Sequence, residues 1–138
     1  MHEWALAEAV IETVLNYAKK NRARRILSVK VKVGKLQSID MEIFKYAISE
    51  LAKTSLLKDT HFEFIEEDAL FKCNLCGHEW KLNEIKIDKD TLESIHFLPE
   101  VAHVFIKCPK CGSPDYNIIK GRGVFIESIN IEVDNHGS

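Results

Sequence analysis

The first half of the chain changes twice between helical and strand-like spacing of its apolar residues. Over residues 4–21, apolar side chains recur every three or four positions, as they do on one face of an α-helix. Residues 26–33 alternate between apolar and polar side chains, which predicts a half-buried strand. A helical period returns over residues 40–54, with Ser38 or Asp40 as its N-terminal cap.

The same spacing identifies the side chains that we expect in the core. The expected core positions are Leu6, Val10, Val14, Tyr17, Leu27, Val29, Val31, Val33, Ile43, Phe44, Ala47, Ile48 and Leu51. Residues 61–65 and 124–133 alternate again and predict further strands. These elements predict a small mixed α/β domain of the α+β class, with about two helices on a three-stranded sheet.

All four cysteines lie in two Cys-x-x-Cys-Gly motifs, which we call the knuckles. Two such pairs can close a tetrahedral shell of thiolates around one Zn²⁺, and the following Gly permits the turn with positive φ that each knuckle needs. A disulfide framework would require an oxidising compartment, and a redox dithiol would use one pair only. We therefore predict a structural zinc site formed by Cys73, Cys76, Cys108 and Cys111.

The order strand, knuckle, knuckle, strand predicts a zinc-ribbon-like module that is inserted into the α/β domain. We assign residues 1–69 and 119–138 to the α/β domain and residues 70–118 to the zinc module.

The interval between the knuckles is unusually long. Thirty-one residues separate Cys76 from Cys108, compared with about 15–20 in a compact zinc ribbon. We expect this interval to have its own structure, with its apolar residues packed on the α/β domain or on another chain. These residues are Ile95, Phe97, Leu98 and Val101. The oligomeric state is left open.

Met1, His2 and Glu3 bring an amine, an imidazole and a carboxylate together at the start of the chain. The amine and the first amide nitrogen can form a five-membered chelate, and the His2 imidazole can close a six-membered ring on the same amide nitrogen. Three nitrogens then lie in a plane, and a fourth donor completes a square-planar set suited to Ni²⁺ or Cu²⁺. Glu3 can supply that donor or support the imidazole.

The alternative for His2 is an exposed residue on a mobile terminus. A predicted helix that begins near Trp4 favours an anchored terminus instead. His96 is interpreted as a loop residue or, if the long interval folds back, as a further nickel donor. His78 is expected to be peripheral to the zinc site, and His103 is expected in a strand leading into Cys108.

Composition and charge exclude several classes of protein. The 138 residues are 46% apolar and 29% charged, as in a soluble globular protein. No membrane span or signal peptide is found, which favours the cytoplasm. A net charge of −2 argues against nucleic acid as a partner. The alternative, a zinc-ribbon adaptor for nucleic acid or the transcription machinery, has few basic residues near the knuckles: Lys72, Lys107 and Lys110.

Catalysis is not expected. Four cysteines around zinc leave no open coordination position for a reactive water. The sequence also contains no Ser-His-Asp arrangement, phosphate-binding loop or dinucleotide fingerprint.

Several motifs together resemble the HypA family, the nickel metallochaperones of NiFe-hydrogenase maturation. The resemblance rests on the initial Met-His-Glu, the small α/β domain, the paired Cys-x-x-Cys motifs and the Gly-Arg-Gly-Val before the last strand. It covers essentially the whole chain, and the long interval between the knuckles is the departure from it.

The resemblance implies specific metals and partners. It implies Ni²⁺ as transferable cargo at Met1, His2 and Glu3, and structural Zn²⁺ at the four cysteines. It also implies a HypB-type GTPase and the hydrogenase large-subunit precursor as partners, so that any GTP hydrolysis belongs to the partner. Urease as a second recipient of nickel is left open.

Overall fold

The computed structural model describes residues 2–37 and 39–134, without the side chains of Gln37, His96, Phe97 and Pro99. This part of the chain contains four α-helices and six β-strands. They are α1 (Glu3–Lys20), β1 (Ala23–Gly34), α2 (Met41–Lys53), β2 (His61–Glu67), β3 (Leu70–Cys73), β4 (Glu79–Lys81), α3 (Lys89–Phe97), α4 (Ala102–Phe105), β5 (Tyr116–Lys120) and β6 (Val124–Val133). The predicted α+β class is confirmed. No helix in the described ranges is both long and apolar enough to cross a membrane.

The chain divides into two compact units. The first contains the residues up to Lys32, residues 39–65 and the residues from Val124 onward; the second contains the short segment that starts at Val33 and residues 66–123. These boundaries differ by several residues from the sequence-based assignment. The difference arises because Leu36 and Ala69 are fully buried in the core of the second unit.

The first unit contains the predicted three-stranded sheet and two helices. The strand order is β2-β1-β6. Val10 and Val14 of α1 and Ala47 and Ile48 of α2 are buried, and Phe44 of α2 meets Phe64 of β2 edge-on, with 5.7 Å between ring centroids. Burial of these apolar faces stabilises the unit by removing them from water.

Asp40 caps α2 as predicted. Its side chain accepts hydrogen bonds from the backbone N–H groups of Glu42 and Ile43, at 3.0 and 3.1 Å. These bonds satisfy two of the amides that the first turn of a helix leaves without partners.

Three predicted core positions are wrong. Leu27, Tyr17 and Ile43 are each more than two-fifths exposed. In β1, Ile26 and Val29 both face inward and are separated by two residues, so the alternation shifts by one position between them. An extra residue of this kind is typical of a β-bulge.

The second unit is built on an antiparallel sheet with the order β4-β3-β5. Phe71 of β3 lies opposite Trp80 of β4, and the two rings stack with 5.4 Å between centroids. Tyr116 of β5 meets both rings nearly edge-on, at 5.5 and 5.2 Å. This buried aromatic cluster forms the centre of the unit.

The interval between the knuckles forms α3 and α4 and packs within its own unit. Ile95 of α3 is fully buried in the second core, in the same cluster as Leu36 and Ala69, two residues that the sequence-based assignment places in the α/β domain. Leu98 is about half exposed. His103 lies in α4 and not in a strand.

In the second unit, the backbone at Gly34 passes very close to the backbone at Gly121. The Leu36 N–H donates to the Gly121 carbonyl at 3.1 Å, and the Gly34 N–H donates to the Gly123 carbonyl at 2.8 Å. A Cβ atom on Gly34 would lie 2.2 Å from the Gly121 oxygen, which is backbone and cannot rotate away. Gly34 therefore permits a contact that any larger residue would prevent.

Glu3 joins the starts of α1 and α2. Its side chain is 4% exposed, and its Oε2 accepts a hydrogen bond from the Asp40 backbone N–H at 3.0 Å. Burial alone would raise the pKa of Glu3, but a hydrogen bond from the terminal amino group and then the one from the Asp40 N–H lower this pKa from 4.5 to about 2. The ionised carboxylate thus stabilises the helix pair.

We expect Glu3→Gln to destabilise the metal-free protein by up to about 3 kcal/mol at neutral pH. Since the folded-state pKa is depressed, the contribution of Glu3 is fully present above pH 4.5 and is lost as the pH falls toward 2. Urea unfolding of both proteins at several pH values measures this difference in free energy. Glu8→Gln, at an exposed position of the same helix, is the control. A difference between the native and Glu3→Gln proteins that does not shrink in acid would contradict the assignment.

Candidate metal centre

Four cysteine sulfurs converge in the second unit. The Sγ atoms of Cys73, Cys76, Cys108 and Cys111 all lie within 4.8 Å of one another. The shortest separations join the two knuckles, at 3.5 Å between Cys73 and Cys111 and 3.6 Å between Cys76 and Cys108. A disulfide requires about 2.05 Å, and the four cysteines are free thiols.

These separations fit a zinc ion. Zinc–sulfur bonds of about 2.3 Å in a tetrahedron place the sulfurs about 3.8 Å apart. The two distances across the knuckles are slightly shorter than that value and all four sulfurs lie within 4.8 Å of one another, so the cluster can close around one Zn²⁺ with small adjustments. With four sulfur ligands, the shell has no position for a water or a substrate, which is the arrangement of structural zinc sites.

The two knuckles repeat the same backbone hydrogen bonds. In each, the N–H of the first cysteine donates to the carbonyl five residues later, at 2.8 and 2.9 Å. The N–H of the knuckle glycine donates back to the carbonyl of the first cysteine, at 3.1 and 2.8 Å. Gly77 and Gly112 both adopt φ near +78°, as the sequence predicts. The sequence motif therefore sets the direction of both sulfurs in each pair.

Electrostatics within the cluster favour a bound cation. Backbone hydrogen bonding, first from Cys76, lowers the pKa of Cys73 to about 7 despite burial. The Ser113 amide lowers the pKa of Cys111, but burial and the other three sulfurs outweigh it and raise this pKa to about 12. Without a cation, the sulfurs cannot all be thiolates, because each additional negative charge repels the others.

Side chains behind the sulfurs hold the knuckles together. The Asn74 N–H donates to the Asp115 carbonyl, and the Asn74 side-chain amide donates to the Asp115 carboxylate, both at 2.9 Å. Asn117 in turn donates to the Asn74 side-chain oxygen at 3.2 Å. This link between the two knuckles was not predicted, because its residues are distant in sequence and no spacing rule connects them.

His78 and His103 contact the aromatic cluster. The His78 ring stacks on Trp80 with 6.0 Å between centroids, and the His103 ring stacks on Tyr116 at 4.3 Å. A His103 ring nitrogen lies 2.9 Å from the Pro114 carbonyl oxygen. Neither histidine belongs to the group of residues whose ligand atoms converge in the described ranges.

The N-terminal candidates lie in the first unit. His2 is exposed and occupies the cap position of α1, and its carbonyl accepts a hydrogen bond from the Leu6 N–H at 2.9 Å. The chain next to His2 is thus held by a helix that begins at Glu3, one residue earlier than predicted. Met1 and the side chain of His96 lie outside the described residues.

Asp40 was recognised from the sequence only as a helix cap. Its additional hydrogen bond to Glu3 places a buried carboxylate beside the start of the chain. The signal that could have revealed it is an acidic residue in the first turn of a helix, next to the aromatic Trp4.

Comparisons with known proteins agree with these features. Residues 1–131 match the family described as HypA, hydrogenase/urease nickel incorporation, metallochaperone. The hydrogenase maturation factor HypA of Pyrococcus furiosus is 51% identical over 134 residues, and that of Thermococcus onnurineus is 49% identical over 134 residues. Each alignment covers 96% of this chain and 96% of the relative.

The fold is also found in a solved structure. The solution structure of the Ni metallochaperone HypA from Helicobacter pylori matches with a TM-score of 0.65 and 24% identity, over 97% of this chain and 100% of that one. The comparisons do not favour the alternative of an adaptor for nucleic acid. The chain belongs to the HypA family of nickel-incorporation metallochaperones and hydrogenase maturation factors.

Proposed function

We propose that this protein carries Ni²⁺ at its N-terminus to the hydrogenase large-subunit precursor and holds Zn²⁺ permanently in the cysteine cluster. The observation that carries the proposal is the convergence of four sulfurs into a closed shell in a chain of a nickel-incorporation family. A closed shell suits a resident metal. A transferable metal needs a separate site whose ligands an acceptor can replace.

Cys73, Cys76, Cys108 and Cys111 would hold the zinc. The ion supplies positive charge and a cross-link between the knuckles, and no reactive water. The protein supplies the remaining support through the amides that face the sulfurs and through the Asn74–Asp115 link. In this role, zinc stabilises a unit of fewer than about 70 residues, a size at which the apolar core alone gives little stability.

The nickel site would be built from the amine of Met1, the amide nitrogen of His2 and the His2 imidazole. Exposure of His2 supports this assignment, because an acceptor must reach the ion. For Glu3, burial and the hydrogen bond from Asp40 favour support of the terminus over direct coordination. His96 as a further donor stays a prediction.

Transfer would proceed by stepwise replacement of these donors. Binding of Ni²⁺ displaces protons from the amine, the imidazole and the amide, so affinity falls as the solution becomes more acidic. We propose a HypB-type GTPase as the partner in this exchange, and the cytoplasm as its place, where cysteine pairs stay reduced. The carrier itself would perform no catalysis.

Removal of zinc is expected to unfold the second unit. In a Trp4→Phe background, Trp80 is the single tryptophan, and it is 1% exposed beside the knuckles. An excess of chelator should move its fluorescence to longer wavelength as water reaches the ring, and Cys111→Ser should do so without chelator. Cys-to-Ser changes therefore test the ligand set, with Lys110→Ala, at an exposed position inside the same knuckle, as the control. Unchanged Trp80 emission after complete loss of metal, measured by elemental analysis, would refute a structural zinc.

An additional residue before Met1 is expected to abolish tight Ni²⁺ binding. The extension moves the free amine away from the His2 amide, and the five-membered chelate cannot form. Calorimetric titration of the zinc-loaded protein measures the change, which we expect to exceed about tenfold because a chelating donor is lost. His2→Ala should have a similar effect.

The control for this experiment is an added residue at the C-terminus, which should leave Ni²⁺ affinity unchanged. Equal binding by the native and N-terminally extended proteins would overturn the site. His96→Ala tests the further donor separately: unchanged affinity and an unchanged absorption spectrum would exclude His96.

A further inference from the structure

A groove of about 300 Å³ lies between α2 and β2 in the first unit. One wall is a stripe of α2, and the other is formed by β2 and the connection that leads to it. The residues that line the groove include Lys45, Ser49, Lys53, Lys58, Phe62 and Phe64. The groove is remote in sequence from the cysteine cluster, and the proposed metal sites do not use it.

β2 is an edge strand. In the ranges 2–37 and 39–134, the sheet order places β1 on one side of β2 and no strand on the other. An edge strand presents backbone N–H and C=O groups that can pair with an added strand. Many peptide-recognition domains bind an extended segment in this way, and pockets beside the strand select the side chains.

The floor of the groove is aromatic. Phe62 and Phe64 project from the same face of β2 and are half-buried, with 6.3 Å between their ring centroids. Leu57, which is fully buried, also lines the groove. Apolar side chains at alternate positions of an added strand can pack against these rings.

The rim of the groove is basic. Lys45, Lys53 and Lys58 line it, and no acidic residue does. Lys53 pairs with Glu50 at 2.8 Å, and the Lys45 ammonium lies 5.6 Å from the centroid of the Phe64 ring. In the described ranges, Lys58 and Lys45 form no ion pair with a carboxylate. Three cations on one groove contrast with the net charge of −2 of the chain.

We propose that this groove binds an extended, acidic segment of a partner protein as an added strand on β2. The edge supplies backbone pairing. The side chains of the added strand that face α2, at every second position, meet both the phenylalanines and the lysines, so this face combines apolar residues with Asp or Glu. The comparable groove between α1 and β6 is apolar and has no charged lining, so its surroundings do not indicate an occupant. The proposal does not depend on nickel binding, and each can fail without the other.

The test is selection from a displayed library of random short peptides on the zinc-loaded full chain. The expected binders carry both apolar residues and Asp or Glu at every second position, which places the two kinds of side chain on one face of the strand. In hydrogen exchange, a selected synthetic peptide should protect the amides of β2. Lys45→Glu combined with Lys58→Glu should weaken this peptide by about tenfold through charge repulsion. Both lysines are exposed and should tolerate the change.

A matched control carries Lys86→Glu and Lys89→Glu, which make the same change in net charge at exposed positions of the second unit. It should bind the selected peptide as the native chain does. Equal weakening in both variants would overturn the proposal, as would selected peptides that are neutral or basic or that protect other strands. Inorganic phosphate is the remaining probe: displacement of the peptide by low phosphate concentrations would show that the groove recognises a small anion, which also overturns strand addition.

Discussion

Four thiolates cannot share one small volume unless a cation lies among them. The two knuckles are built so that this condition arises whenever the second unit is folded. Their backbone hydrogen bonds repeat one another, and Asn74 and Asp115 tie them together from outside. The three-stranded sheet, its aromatic cluster and the two inserted helices are all connected to the same four sulfurs. With Zn²⁺ in this cluster, as we propose, folding of the unit and metal binding would be one equilibrium.

The elements with a strong local pattern were predictable from the sequence. The last strand matches its predicted range, and α2 begins after its predicted cap at Asp40. The details that depend on long-range packing could not be predicted. Ile26 replaces Leu27 in the core because an extra residue interrupts the alternation of β1. The interval between the knuckles gave no clear period, since its helices are short and are held by the burial of residues such as Ile95.

The cysteine cluster and the N-terminal site also differ in how much of their geometry could be predicted from the sequence. The convergence of the four sulfurs follows from spacing alone, because each Cys-x-x-Cys-Gly motif contains nearly all the local geometry that it needs. The hydrogen bond that supports the start of the chain could not be predicted from spacing, because Glu3 and Asp40 are 37 positions apart. The sequence predicts Glu3 as a nickel donor or as support for the imidazole, and in the structure its buried carboxylate bonds to the start of α2. When a site combines ligands that are adjacent in sequence with supporting residues that are distant, the sequence predicts only the adjacent ligands.

The knuckles also place their sulfurs at two depths. Cys73 and Cys108 are buried, whereas Cys76 and Cys111 are exposed. A competing ligand or an oxidant from solution therefore reaches the outer pair before the inner pair. Dissociation of a zinc ion would begin with its bonds to Cys76 and Cys111. The ion would then be held only by Cys73 and Cys108, one sulfur from each knuckle, and could either leave or be bound again by the outer cysteines. The lifetime of a zinc ion bound there would then be governed by how long the outer pair stays open, and the buried pair would determine whether the shell reforms.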